Sequence, residues 1–244
     1  MNIQATLSKI DDLKLAGLKA ALQHQLEHPA LTDLPFEERL AMLIDAECVY
    51  RESARCDRLL KAAGLRVLAQ PEELAFDATR NLDKAMVLRL LNGDWIRKNH
   101  NVLITGKSGT GKTWLGCCLG TQAARLGFSV LYRRISRVLE EYDVARHDGS
   151  LPRLRAKFAR AKLLILDDFG LSSLKPTARN DLLEILDDRV GLSATIVCGQ
   201  MPVANWHDYI GDAAIADAVL DRLTAAAHRI ELDGPSRRRK GAGD

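Results

Sequence analysis

Eight consecutive residues, Gly106-Lys107-Ser108-Gly109-Thr110-Gly111-Lys112-Thr113, fit the pattern G-x-x-x-x-G-K-[ST]. The pattern does chemistry only between a buried strand and a helix, and both flanks are present. Asn101-Val-Leu-Ile-Thr105 reads as a short buried strand, and Trp114 to Leu126 as a helix stopped by Gly127. A glycine-rich turn in that position aims backbone N–H groups and a helix N-terminus at one point, which makes an anion site. The spacing predicts a nucleoside triphosphate cradled by Gly106 to Thr113. Lys112 would reach its β- and γ-phosphates, and the Thr113 hydroxyl would ligate Mg²⁺. A glycine turn that matches by chance is the competing reading, and the flanking strand and helix argue against it.

A second constellation is Leu163-Leu-Ile-Leu-Asp167-Asp168. Four apolar residues predict a central strand buried on both faces, and its C-terminal end is where open α/β sheets bind ligands. Asp167 would hold Mg²⁺, mostly through water, and Asp168 would orient the attacking water as general base. The alternative for Asp168 is a loop acid that only modulates the metal shell. Gln200 ends the apolar run Ala194-Thr-Ile-Val-Cys-Gly-Gln200. It reads equally as a contact to the γ-phosphate or attacking water and as an ordinary loop glutamine. Arg222, within Asp221-Arg222-Leu223, reads on its residues alone as an acid-paired surface side chain.

These residues need a scaffold, and from residue 101 onward the pattern alternates strand and helix. Strands are predicted at 102–105, 129–132, 163–167, 194–198 and 228–232. That alternation implies an α/β fold whose parallel five-stranded sheet is flanked by helices on both faces. Residues 81–95 read as one amphipathic helix carrying Leu82, Met86, Leu88 and Leu91. Residues 66–80, with Gln70-Pro71 and little periodicity, read as a linker. Residues 1–65 read as a small all-α N-terminal domain almost without glycine. There, Leu15, Leu18, Leu22 and Leu26 recur at helical spacing until His28-Pro29. A longer helix then runs to Ala63, with Asp33 as its expected N-cap and Gly64 as its stop. On its helical wheel Leu40 and Ile44 share an azimuth with Arg51, Arg55 and Arg58. This reads either as a helix anchored at one end that projects a basic stripe or as ordinary Glu47–Arg51 pairing on a surface.

Composition adds bounds. The 244 residues allow one large domain or a core domain with a small appendage, and 27% charged with 47% hydrophobic residues is ordinary for a globular protein. No apolar stretch approaches a membrane span, and the N-terminus lacks a signal-peptide pattern. The five cysteines show no C-x-x-C spacing, so neither a disulfide framework nor zinc is expected and the cytoplasm is the default compartment. The net charge of +3 is small, but Arg133 to Lys162 holds nine Lys or Arg against four Asp or Glu, and a tail reads Arg237-Arg238-Arg239-Lys240. Such clusters suit a phosphate backbone or a merely solvated surface. The candidate DNA contacts are Arg51, Arg55 and Arg58 with Arg153, Arg155 and Lys157.

The ordered set of Gly106–Thr113, Leu163–Asp168, Gln200 and Asp221-Arg222-Leu223 resembles the initiator-type branch of the AAA+ ATPases. More narrowly it resembles the IstB-like helper ATPases of insertion sequences, with DnaC-type helicase loaders as relatives. Phe36-Glu-Glu-Arg-Leu-Ala-Met-Leu-Ile-Asp-Ala-Glu47, Leu166-Asp-Asp-Phe-Gly170, Trp206, Leu220–His228 and Gly234-Pro-Ser236 extend the resemblance over nearly the whole chain. It implies a P-loop AAA+ core at 81–244 that uses ATP and Mg²⁺. It also implies homo-oligomers with ATP sites at subunit interfaces, with Arg222 as a finger acting on the neighbour's nucleotide. With 22 residues after Arg222, no C-terminal lid domain is expected. The implied partners are duplex DNA, which the oligomer coats and deforms, and the transposase of the same insertion sequence. A sensor role for Arg238 is carried over by resemblance alone. The runner-up is a DnaC-like helicase loader, whose ATP chemistry would be the same. A small-molecule P-loop kinase would need a mobile lid for which no segment offers itself.

Overall fold

Successive side chains of a strand face opposite ways, so a strand apolar at every position needs a core on each side. The computed structural model describes residues 3–76 and 80–236, and in it five strands form one parallel sheet. They are β1 (Asn101–Gly106), β2 (Val130–Arg134), β3 (Leu163–Phe169), β4 (Ala194–Gly199) and β5 (Ala227–Leu232), in the order β2-β3-β4-β1-β5. Of these, β3 and β4 are buried along nearly their whole length. Val102 and Ile104 of β1, with Leu163 and Ile165 of β3, enter one core. Leu103, Leu164 and Leu166, the residues between them, enter the other.

The first core is covered by α5 (Lys84–Leu91), α6 (Asp94–Arg97) and α7 (Lys112–Arg125), together with Leu59, Leu60 and Ala63 at the end of α4 (Phe36–Ala63). The second is covered by α8 (Ile135–Asp148), α9 (Leu151–Arg160), α10 (Pro176–Asp187), α11 (Trp206–Ile210) and α12 (Ala213–Thr224). Two helices, α8 and α9, fit between β2 and β3. Arg189, buried to 1% exposure, ties the far ends of three elements. Its guanidinium donates to the carbonyls of Phe158, Ala161 and Ala194 and to the Thr195 hydroxyl.

The span 81–95 is not one helix. Asn81 has a left-handed φ of 52°, and Asp83 caps α5 by accepting from the N–H groups of Ala85 and Met86 at 2.8 and 3.3 Å. After Leu91 the chain turns at Gly93, φ 78°, before α6 begins. The buried positions of α5 are Val87 and Leu90, whereas Leu88 is exposed. The aperiodic segment after α4 is packed as well. It holds a 3-10 turn at Pro71–Glu73 and buries Ala69 completely.

By its contacts the chain divides into one unit up to Arg58 and another from Leu59. The first unit holds α1 (Ile3–Asp12), α2 (Ala16–Glu27), the short α3 (Pro29–Thr32) and most of α4. Helices α2 and α4 approach so closely that a Cβ on Gly17 would lie 2.6 Å from the Ala46 carbonyl oxygen and from the Tyr50 Cβ. Glu47 accepts from the Leu18 N–H at 3.0 Å and from Arg51 at 2.6 Å, and these two bonds hold its carboxyl below the usual range. Two expectations change here. Asp33 closes α3 and does not cap α4, which starts at Phe36 after Pro35. Leu40 and Ile44 are exposed, so the face they share with the arginines is not an anchored one. A common azimuth says which residues point together and leaves open which side a neighbour covers. No helix among the described residues is long and apolar enough to cross a membrane.

Candidate functional site

The turn between β1 and α7 is Gly106 to Gly111, and its three glycines all have positive φ: 142°, 86° and 99° for Gly106, Gly109 and Gly111. At Gly106 any Cβ would sit 2.1 Å from the Leu232 carbonyl oxygen, so β5 itself requires glycine there. Lys112 curls back over the turn and donates from Nζ to the carbonyls of Gly106 and Lys107 at 2.6 and 2.7 Å. Against the turn lies Arg80, 5% exposed, which donates to the Thr110 carbonyl and to that of Ala75, each at 3.2 Å. The turn is therefore held by Arg80 at Thr110, and Ser236 packs against it at Gly109.

Beside it opens a cavity of about 490 Å³, in the size range of small-molecule sites. Gly109, Gly111, Lys112, Thr113, Trp114, Asp168 and Gln200 line it, together with Arg66, Val67, Ala75 and Arg80 from the segment after α4. The sheet order accounts for this convergence. β3, β4 and β1 are neighbours, so the residues at their C-terminal ends meet at one edge.

The two adjacent acids solve a geometric problem. In a regular strand Asp167 and Asp168 would point to opposite faces. Instead, Asp168 has a left-handed φ of 61°, and the pairing of β3 with β4 is irregular between Leu166 and Phe169. Both carboxylates then face the same Arg66 Nη1, 3.9 Å from Asp167 and 3.6 Å from Asp168. Asp is among the few residues that tolerate this backbone region, and positive φ in a non-glycine residue clusters at functional sites.

Asp167 is 1% exposed. Its Oδ2 accepts from the Thr113 hydroxyl at 2.8 Å and from the Tyr132 hydroxyl at 2.7 Å. Burial, reinforced by the Asp167 carboxylate, pushes the Tyr132 phenol far above its ordinary pKa, so it remains a donor. A hydroxyl and a carboxylate brought together beside a phosphate-sized cradle form an all-oxygen donor set, which fits Mg²⁺ and not a softer ion.

Arg222 stands apart from this site. The Asn101 side chain donates to the Arg222 carbonyl at 2.9 Å, which puts Arg222 at the start of β1, whereas the turn follows its end. A six-residue strand spans about 17–20 Å. The Arg222 guanidinium binds Asp187 through Nε and the Ala218 carbonyl at 2.8 Å through Nη1.

The arginines proposed for DNA are differently placed. Arg51 is tied to Glu47, and Arg58 donates to the Ala54 carbonyl at 3.4 Å; these and Arg55 belong to the first unit. Arg153 and Lys157 are exposed on α9 and, with Arg160, line one depression. Arg155 turns inward, 2.6 Å from Glu184 and 3.1 Å from Asp188 of the α10 end. Arg238 and the basic tail lie outside the described residues.

Arg66, Arg80 and Tyr132 stand at the site although they belong to no motif. A tyrosine ending an apolar strand is a weak signal, because a buried hydroxyl needs a partner. For Arg66 and Arg80, which lie in an aperiodic segment, no pattern marks them.

The family model described as IstB-like ATP-binding protein matches residues 8–243. The chain belongs to the IstB-like ATP-binding proteins. Among its IstB-like relatives is a Sinorhizobium fredii protein described as an insertion-sequence ATP-binding protein. It is 42% identical over 234 residues, 96% of either chain. The ATP-binding protein of insertion sequence IS1162 from Pseudomonas fluorescens is 45% identical over 203 residues, 83% of this chain and 88% of its own. Among solved structures the DnaC helicase loader superposes with a TM-score of 0.59 at 13% identity, covering 72% of this chain and 99% of the loader. DnaA of Aquifex aeolicus with bound AMPPCP gives 0.58 at 20% identity, covering 69% and 51%. At these identities the solved structures establish a shared fold, the α/β core with its parallel sheet.

Proposed function

We propose that this IstB-like protein is a Mg²⁺-dependent ATPase that assembles on duplex DNA and remodels it to assist the transposase of its insertion sequence. The observation that carries the ATPase reading is the Thr113–Asp167 contact beside the glycine turn, with Asp168 turned to the same side by its left-handed backbone. In this reading Gly106 to Thr113 hold the phosphates, and Thr113 and Asp167 hold the metal. The metal supplies charge neutralisation at the phosphoryl group. Asp168 accepts the proton of the attacking water, and Gln200, on the cavity wall, positions that water.

Arg222 is then the finger of a neighbouring subunit. Its place at the opposite end of β1 from its own turn supports this, since one side chain cannot bridge about 17–20 Å. For DNA, the exposed Arg153 and Lys157 beside Arg160 support a phosphate-contacting surface on α9. Arg51, Arg55 and Arg58 remain a second candidate surface. The insertion-sequence context of the 42% and 45% identical relatives favours a transposase over a replicative helicase as partner.

The test is hydrolysis with and without duplex DNA, followed alongside particle size by electron microscopy. Turnover should rise with DNA as oligomers appear. ATP binding with no turnover on any DNA would overturn the ATPase reading. Stable capture of a helicase, with no response to duplex DNA, would favour the loader.

A further inference from the structure

Arg66 faces both acids at the end of β3, with its Nη1 3.6 Å from Asp168 and 3.9 Å from Asp167. Two neighbouring carboxylates facing one way repel each other, and Asp167 is too buried for water to screen that repulsion well. A positive group beside them offsets that repulsion when no metal is present. Arg66 is suited to a temporary post. It comes from the aperiodic segment just past Gly64, where α4 has ended, and its side chain is still 44% exposed. Its second partner is the hydroxyl of Tyr132, which itself donates to Asp167. Arg66, Tyr132 and Asp167 thus form one chain of polar contacts ending on the oxygen that Thr113 also touches.

We propose that Arg66 is the resident counter-cation of the Asp167–Asp168 pair, and that Mg²⁺ arriving with the nucleotide displaces it. The inference rests on the reading of Asp167 as a metal ligand. A divalent ion brings twice the charge to the same oxygens, so Arg66 and the metal compete for one electrostatic role. The guanidinium swings toward solvent or the cavity, both open to it, and Tyr132 keeps its bond to Asp167. Arg66 is then a positioning residue. It keeps the acids poised while the site is empty and sets the Mg²⁺ concentration at which the site loads.

The experiment uses the full chain and a non-hydrolysable fluorescent ATP analogue, with binding followed as Mg²⁺ is titrated. Arg66→Met keeps the side-chain stem and removes the charge. It should lower the half-saturating Mg²⁺ concentration by about threefold, the scale of a half-exposed ion pair. Arg66→Lys, which keeps a cation, should stay near wild type, and analogue affinity without metal should not fall in either variant. Arg66→Gln serves as a second neutral variant if Arg66→Met does not fold. An unchanged or higher Mg²⁺ midpoint in the neutral variants overturns the proposal. So does a loss of metal-free affinity, which would make Arg66 a phosphate ligand. Asp167→Asn separates the two levels. It should raise the midpoint steeply, and if it does not, the metal-site reading itself fails. If it does while the neutral Arg66 variants behave as wild type, only the role of Arg66 falls.

Discussion

Asp187, the last residue of α10, holds the Nε of Arg222 within a single chain, at the end of β1 away from the phosphate turn. A finger acting on a neighbouring subunit must leave this carboxylate or carry it along. Arg222→Ala should bind ATP almost normally and hydrolyse it about 10³-fold more slowly. Mixed with Lys112→Ala, it should regain activity, because one subunit supplies the intact site and the other the intact arginine. A mixture that stays inactive although mixed oligomers form rules out the trans arrangement. Asp187→Asn should shift the rise of hydrolysis to lower protein concentration, measured as specific activity against dilution.

Lys112 and Asp168 should separate binding from turnover. Lys112→Ala removes a charge-assisted phosphate contact, so nucleotide affinity should drop. Asp168→Asn keeps the shape and the left-handed backbone but cannot accept a proton, so affinity should persist while hydrolysis fails. Equilibrium binding beside steady-state turnover tests the pair. Wild-type hydrolysis by Asp168→Asn would remove that residue from the mechanism.

Tyr132→Phe deletes one hydroxyl and leaves the ring in its packed position. Asp167 then keeps the Thr113 hydroxyl as a donor and loses that of Tyr132. Partners that orient a ligating carboxylate are worth about tenfold or more in metal affinity. The Mg²⁺ midpoint should therefore rise by about tenfold, the opposite direction from the neutral Arg66 variants, with little change in the melting temperature.

Arg189 predicts a stability effect without a catalytic one. Burial draws its pKa down to about 10, yet three carbonyls and a hydroxyl accept from it. Arg189→Met would leave those buried acceptors unsatisfied and should cost about 3 kcal/mol. Urea unfolding measures it, and a loss below about 1 kcal/mol would mean that water replaces the guanidinium.

On α9 the neighbouring basic residues should behave differently. Arg153→Ala with Lys157→Ala should flatten the log–log salt dependence of DNA binding by about two units, roughly one per phosphate contact. Arg155→Ala should instead loosen α9 from α10, because its partners are Glu184 and Asp188. An unchanged salt slope in the double variant would move the DNA surface elsewhere.

The parts of the site legible in the sequence are those in which chemistry is contiguous. Gly106–Thr113 and Asp167-Asp168 each carry their roles in a few adjacent residues, and the apolar runs beside them fix strand ends. Arg66 and Tyr132 escape because they reach Asp167 across long stretches of chain, and only the parallel pairing of β2 with β3 brings Tyr132 there. The break near Gly93 is visible as a glycine, but the spacing of Leu82, Met86, Leu88 and Leu91 before it favours continuity. Leu40 and Ile44 failed for another reason. Periodicity groups side chains into faces, and burial depends on a partner helix, which here is drawn by Gly17 and Glu47 to a different side of α4.

The position of β1 in the sheet bears on how the protein comes into being. Val102 pairs with Ile196 on one side and with His228 on the other. A chain leaving the ribosome from its N-terminus exposes the β1 strand long before either partner exists, and such distant pairings form slowly. Gly106, at the end of β1, pairs with Leu232 so closely that only glycine fits between them. β1 thus gains its second partner only once β5 has been made, so a chain halted before residue 227 leaves the strand that carries the glycine turn with an open, unpaired edge.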